Sequence, residues 1–409
     1  MRICIVTPGP VGSNPRVVKE AGALREAGHE VIVVCSRMLA RVEPRDQDVL
    51  ASATWKTERI DLSNLMRWRF ERMRQIGMRT LFAVTRLSSF ANTGFSAFTH
   101  KLIRKAISYP ADLYIAHYPA ALPAAAMAAR QHRGLCAYDA EDFHPGDWPE
   151  DIEFDGMRRM LRAIESRYLP DCAYVTAASP GIADAYAREY LITRPTVVLN
   201  VFPRSQAPTE PASTGTVEPR PSVYWFSQTI GYNRGLECGV RAIGRARSRP
   251  HLYLRGTPAA GFVERLRAIA NEHGVVDQLH ILPPALPSEM ERLTSLFDVG
   301  FSGEPGHTEN NRVALGNKLF SYLLAGIPAA ISDVDAHRAY GHLASEATRL
   351  FRVDDADNLA AVLDSLLTNP AALAAARRAA WRLGQERYNW DLEKNNLLNT
   401  IIAACRTRK

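Results

Sequence analysis

The chain has 409 residues, 46% of them apolar and 23% charged, which suits a soluble globular protein of two or three domains and excludes wholesale disorder. With only 25 Gly, 25 Pro and 6 Cys, it is not collagenous, coiled-coil or a disulfide framework. The net charge is +7, and residues 51–105 carry all of that excess.

The cysteines (Cys4, Cys35, Cys136, Cys172, Cys238, Cys405) are scattered without a C-x-x-C pair, so reduced thiols are expected rather than bridges or zinc ligands. The opening run Met1–Pro8 is too short and too weakly apolar for a signal peptide. The longest bland apolar stretch, 120–129, is half the ~20 residues a bilayer-spanning helix needs, and Pro123 interrupts it.

In chain order, the first expected strand is Arg2–Thr7. It runs into Gly9-Pro10-Val11-Gly12-Ser13-Asn14-Pro15-Arg16. Asn14 suits a helix N-cap and Pro15 the first helical turn, and the glycines allow a ligand close to the backbone. The free N–H groups of such a helix start suit an anion or sugar hydroxyls, although an ordinary βα turn has the same look. The spacing is not G-x-G-x-x-G, which argues against a nicotinamide cofactor. The helix Arg16–Ala27 and the strand His29–Cys35 follow.

Residues 51–105 then hold eleven basic side chains against the three acids Glu58, Asp61 and Glu71, interleaved with aromatics such as Trp68, Phe70 and Phe82. Two readings fit. The simpler is a pair of helices with solvated arginines and inward aromatics; the other is an amphipathic surface for anionic lipid. Nucleic acid is disfavoured, because no recognisable binding motif accompanies the charge.

Further strands are expected at Asp112–His117, Leu135–Asp139, Ala173–Ala177 and Thr196–Asn200, with a helix at Ile182–Tyr190. The strand Leu135–Asp139 runs into Tyr138-Asp139-Ala140-Glu141-Asp142-Phe143-His144. Unpaired carboxylates are too costly for core packing, so this cluster reads as a polar site at a strand's C-terminal end. Pro203 to Pro221 reads as a linker.

The same βα alternation restarts with strands at Val223–Ser227, His251–Arg255, Gln278–Leu282, Asp298–Ser302 and Ala329–Ser332. After the first comes Ser227–Glu237, whose Arg234 and Gly235 open a helix in a way that suits a diphosphate. After the fourth comes the polar loop Glu304–Leu315, with Asn310 and Asn311. Gly316 and Asn317 then start a helix that Gly326 caps, and Lys318 adds a cation to its positive end. The tail is helical over Ala371–Arg387 and Asp391–Ala404. Alternating β and α predicts parallel, doubly wound sheets, with ligands outside the carboxyl ends of the strands.

These motifs together resemble the GT-B glycosyltransferases of family 4, retaining enzymes that use nucleotide-sugars. The resemblance runs nearly end to end. It rests on Ser13-Asn14-Pro15-Arg16-Val17, Leu24–Val31, Ser179-Pro180-Gly181-Ile182-Ala183 with Val198-Leu199-Asn200, and Arg234-Gly235-Leu236-Glu237. The most specific segment is Asn317-Lys318-Leu319-Phe320-Ser321-Tyr322 with Ala325-Gly326-Ile327-Pro328, and Tyr388-Asn389-Trp390 matches the point where the family's last helix crosses back.

The resemblance implies an α/β fold of two Rossmann-like, doubly wound domains facing each other across a cleft. The boundaries expected are 1–202 for the acceptor domain with its basic insertion, 203–221 for the linker, 222–386 for the donor domain and 387–409 for the returning helix. The reaction implied is transfer of a sugar from a nucleotide-sugar to a hydroxyl acceptor, without metal or other cofactor. Arg234, Gly235, Asn317 and Lys318 would hold the donor's phosphates, with Gly9, Gly12, Asn14 and Arg16 near sugar and phosphates. Glu141, Asp142 and His144 take the catalytic positions, Glu141 standing where the family often has histidine. The family's paired glutamates are replaced by Val313 and Ser321, and its Gly-Arg pair by Gln228-Thr229. Glu304, Asn310, Asn311 and Ser321 are therefore expected to supply the missing sugar or ribose contacts. The charge of 51–105 suggests a lipid-linked acceptor and a cytoplasmic protein peripheral to the inner membrane face. Alternatives are a non-catalytic nucleotide-sugar-binding protein, an epimerase, or a DNA-modifying transferase of the same fold.

Overall fold

The computed structural model describes residues 1–37, 43–149, 154–211 and 214–406, and the remaining residues lie outside this description. The chain divides into two compact units, one made of 1–199 with 394–409 and the other of 200–393.

The first unit carries β1 (Arg2–Val6), β2 (Glu30–Arg37), β3 (Lys56–Asp61), β4 (Leu113–His117), β5 (Leu135–Ala140), β6 (Cys172–Ala177) and β7 (Thr196–Val197). They form one sheet in the order β3-β2-β1-β4-β5-β6-β7, and every pairing is parallel. Ile3 lies opposite Val31 on one side and Leu113 on the other. β1 and β4 are almost wholly buried, as expected of parallel strands covered by helices on both faces. The strand order reverses direction at β1, and the carboxyl ends of β1 and β4 flank that switch point, where open α/β sheets place ligands.

The second unit repeats the plan with β8 (Ser222–Ile230), β9 (His251–Pro258), β10 (Leu279–Leu282), β11 (Val299–Ser302), β12 (Ala329–Ser332) and β13 (Thr348–Phe351), in the order β10-β9-β8-β11-β12-β13. Val223, Trp225, Leu252, Leu254, Val299 and Phe301 form the centre of its core. Its switch point lies between β8 and β11.

Two strands escape the sequence pattern, β3 and β13, and both are sheet edges. An edge strand needs a partner on one side only and tolerates charge. Thus Lys56-Thr57-Glu58-Arg59-Ile60-Asp61 reads as polar, yet it pairs with β2 while Arg59 is bound by Glu43 and Asp46 at 2.6 and 3.1 Å. The basic segment consequently begins as part of the sheet. Three helices follow: Leu65–Thr85, Ser88–Phe95 and Thr99–Ile107.

The end of the expected linker is fastened to the second unit; its residues 212 and 213 lie outside the description. Buried Asp298 accepts hydrogen bonds from the amides of Gly215 and Ser222, both at 2.9 Å, and from the Arg220 guanidinium at 3.0 Å. The last helix, Trp390–Arg406, belongs to the first unit from Lys394 onward. There Lys394 meets Glu26 at 2.6 Å, and Leu397 and Ile401 are buried. Among the described residues no single helix is long and apolar enough to cross a membrane.

Candidate functional site

In the first unit the chemistry gathers beyond the carboxyl ends of β1, β4 and β5. Asn14 caps the helix Pro15–Glu26, its Oδ1 accepting from the amides of Arg16 and Val17. The cap fixes the Asn14 side chain, whose Nδ2 donates to Glu141 Oε1 at 2.7 Å. Two residues on, in the first turn of the same helix, Arg16 is almost fully buried. Its Nε donates to Asp139 Oδ2 at 2.8 Å and its Nη1 to the Val198 carbonyl at 2.7 Å. Glu20, four residues on and hence on the same helix face, reaches His117 at the end of β4.

His117 is fully buried between two carboxylates, with Nδ1 2.7 Å from Glu141 and Nε2 2.5 Å from Glu20. Both ring nitrogens face acceptors, so both carry protons and the ring is an imidazolium. Burial opposes that charge, but Glu20, Glu141 and Asp139 outweigh it and raise the pKa to about 10. Burial also works against ionised Glu141, yet His117, Arg16 and Asn14 hold its pKa below the usual range.

Glu20, His117 and Asp139 bring ligand atoms within 4.8 Å of one another, the spacing of a small metal site. The arrangement does not fit a cation: Arg16 already occupies Asp139, and both His117 nitrogens are protonated donors. This is an ion-pair network, two cations held among three carboxylates.

The network has a pH signature. His117 titrates near 6.5 when unfolded and near 10 when folded. Its stabilising contribution is therefore complete below the unfolded value and is lost as pH rises toward the folded one. Urea unfolding of the first unit is expected to show stability falling between pH 7 and 9.5, relative to a His117→Phe variant that lacks this slope. Identical pH profiles for the two proteins would disprove the imidazolium.

Beside the network, Tyr118 sits at φ 66°, in the left-handed region that favours glycine. Its ring packs 5.5 Å from that of His144. His144 is buried, its Nδ1 is 2.9 Å from Asp147, and its Nε2 has no hydrogen-bond partner among the described residues. Burial lowers its pKa, but Asp147 and Asp142 raise it further, to about 9. Asp142 is half-buried nearby on the same loop.

The two glycines after β1 differ. A Cβ on Gly9 would meet nothing within 4 Å, whereas one on Gly12 would lie 2.9 Å from Asp46. The Gly12 amide donates to Asp46 at 2.7 Å, so this glycine lets the helix Glu43–Ser52 approach. Gly9 leaves open space.

In the second unit three separate motifs converge. Gly235 has φ 67°, and a Cβ there would stand 2.1 Å from the Gly303 carbonyl, so only glycine allows this contact. The contact sets the half-buried Arg234 beside Glu304, which follows Gly303 at the end of β11. Glu304 Oε1 is 3.1 Å from Lys318 Nζ in the first turn of the helix Asn317–Ala325. Burial would raise the Glu304 pKa, but Lys318, His337 and Arg234 hold it below the usual range. Lys318 also lies over the Trp225 ring, 5.7 Å from its centre. Gly316 caps this helix without a side-chain hydrogen bond, and Asn317 is exposed beside it.

The remaining expected contacts are placed differently. Thr308 caps the short helix Glu309–Val313, in which Asn310 is buried and Asn311 half-buried. Ser321 is fully buried, and its hydroxyl donates to Glu291 at 2.7 Å. Glu291 comes from the helix Met290–Thr294, 30 residues upstream, and no sequence motif marks it. Glu20 and His117 are likewise unmarked. The only local signal for Glu20 is its spacing of four from Arg16.

The two doubly wound sheets, with a cationic helix start in the second, define a two-domain, doubly wound α/β protein. Residues 11–201 match the model of the glycosyl transferase 4-like domain. The fold is similar over 98% of the chain to all of HepE from Anabaena, solved in complex with UDP-glucose, at 15% identity and a TM-score of 0.73. It is similar over 99% of the chain to all of sucrose-phosphate synthase from Thermosynechococcus elongatus, at 15% identity and a TM-score of 0.70. WaaG, a glycosyltransferase involved in lipopolysaccharide biosynthesis, matches over 96% of the chain and 97% of its own length at 12% identity, with a TM-score of 0.62. No curated protein matches the chain in sequence. Residues 11–201 thus carry a glycosyl transferase 4-like domain, and the whole chain has the two-domain α/β fold of these glycosyltransferase structures, as its motifs suggest.

Proposed function

We propose that this protein transfers a glycosyl group from a nucleotide-sugar to a hydroxyl acceptor, with retention of configuration and without a metal ion. The observation that carries this reading is the meeting of Lys318, Arg234 and an uncapped helix start around Glu304. In the reaction the bond from the sugar's anomeric carbon to the diphosphate oxygen breaks, and the diphosphate keeps the electron pair. The acceptor oxygen bonds the same carbon and releases its proton. Negative charge grows on the diphosphate, where two side-chain cations and the helix dipole are already oriented; this is electrostatic preorganisation of the kind that lowers such barriers. A compact cluster of protein cations supplies what a divalent ion would otherwise supply. Glu304 neutralises Lys318 in the free protein and is displaced toward sugar hydroxyls when the diphosphate arrives.

Structurally similar proteins were solved with UDP and UDP-glucose, which supports a uridine-diphosphate sugar as the first donor to test. Gly9, Glu141, Asp142 and His144 are assigned to the sugar and acceptor end. The basic segment supports a lipid-linked acceptor at the cytoplasmic membrane face.

Calorimetric titration with UDP, GDP, ADP and dTDP and their sugars, in EDTA and in magnesium, tests the reading. One donor is expected to bind at micromolar concentration with equal affinity in both buffers. No binding across the panel would favour a non-catalytic protein of this fold, and binding in magnesium alone would overturn metal independence.

A further inference from the structure

The helix Leu65–Thr85 is inverted. Its buried positions are mostly polar, and its exposed positions mostly apolar. Glu71 and Gln75 are buried, together with Phe82. Gln75 donates to the carbonyls of Gly94 and Phe95 at 3.1 and 2.9 Å, and Arg79 donates to that of Gly94 at 2.8 Å. Glu71 is held by Lys101 at 3.1 Å. Polar contacts therefore help to fasten this helix to its unit, and of its aromatics Phe82 packs inward whereas Phe70 and Trp68 are exposed.

The outward face carries Met66, Phe70, Met73, Ile76, Leu81 and Val84, of which Met66, Met73 and Val84 are 81, 72 and 79% exposed. At 3.6 residues per turn these six fall within an arc of about 140°. Arg72 and Arg74 border that arc on its two sides, and Arg69 lies within it on a stem long enough to snorkel. Trp68 lies beyond Arg72, about 80° past the edge of the arc, with the Arg72 guanidinium over its ring at 5.6 Å. The one acid of the helix, Glu71, is turned inward. At 1.5 Å per residue the face is about 30 Å long.

We propose that this face docks on an anionic lipid surface, with Met66, Phe70, Met73 and Ile76 entering the interface and Arg69, Arg72 and Arg74 meeting headgroups. Water is the wrong solvent for so large a contiguous apolar strip, so something covers it. Cations on both borders select the partner's charge. Two copies related by a two-fold axis would set these arginine rows against each other, which disfavours self-association. Nucleic acid would leave the apolar centre unpaired. This inference stands on the helix alone and does not require the donor site.

The test is co-sedimentation of the full chain with phosphatidylcholine vesicles containing 0 or 30 mol% phosphatidylglycerol. Partitioning onto the anionic vesicles is expected. A Met66→Ser, Phe70→Ser, Met73→Ser variant should lose it at least tenfold, and each of Arg72→Ser and Arg74→Ser about fivefold. UDP titration and circular dichroism should be unchanged in the triple variant, since Met66, Phe70 and Met73 are exposed. Absence of wild-type partitioning, or partitioning that survives the triple substitution, overturns the proposal. So does a concentration-dependent dimer that the triple substitution abolishes in the absence of vesicle binding.

Discussion

Replacing Lys318 by alanine is expected to weaken UDP and donor binding by about 10- to 100-fold, the effect of losing one charge-assisted hydrogen bond to phosphate. The size follows from the surroundings. Lys318 is largely buried against Trp225 and neutralised by Glu304, so little solvent screens it and its removal leaves a bare carboxylate facing the phosphates. Lys318→Arg is expected to keep affinity within a few-fold. Adding Glu304→Gln to Lys318→Ala should recover part of the loss, because the repelling carboxylate is then gone. Calorimetry with UDP reads all three. A Lys318→Ala protein that binds UDP like the wild type would remove the diphosphate from this helix start, and with it the argument for metal-independent transfer.

Arg16→Met is expected to destabilise the first unit by about 3–5 kcal/mol, the range for breaking a buried pair and leaving its partner charged. Arg16 offsets Asp139 and part of Glu141, while Asp139 Oδ1 and Glu20 Oε1 already lack hydrogen-bond partners among the described residues. The double variant Arg16→Met, Asp139→Leu should recover more than half of the loss, since removing both charges spares the desolvation cost of each. Urea unfolding of the first unit measures both. A single-variant cost below about 1 kcal/mol would mean that water reaches the pair, a surface value rather than a buried one.

Much of the fold is legible without coordinates. Strand-length apolar runs separated by helical periods predict parallel doubly wound sheets, and the protein has two of them. What the pattern loses are β3 and β13, because an edge strand satisfies its hydrogen bonds on one side and need not be apolar. The expected end of β1 illustrates a finer point. Asn14 and Pro15 are local signals and do begin a helix, since a cap acts through the next three residues.

The candidate site divides the same way. Arg234, Gly235, Glu304 and Lys318 are visible as motifs, but their meeting depends on Gly235 touching the backbone of Gly303, 68 residues later in number. Asn14 and Glu141 are separated by 127 residues, and Ser321 and Glu291 by 30. No periodicity encodes such pairs. Charges give no sign of their partners until the sheet order sets β1 beside β4 and β4 beside β5.

Sequence by itself determined the elements, the family resemblance and the concentration of positive charge in 51–105, all properties of residue type and short spacing. Tertiary structure alone decided that Arg16 and His117 lie inside a network of carboxylates, and that Leu65–Thr85 turns its apolar side to solvent. An amphipathic pattern defines two faces of a helix but not which faces inward. That choice falls to the groups the helix packs against, and here these are backbone carbonyls that call for Gln75 and Arg79.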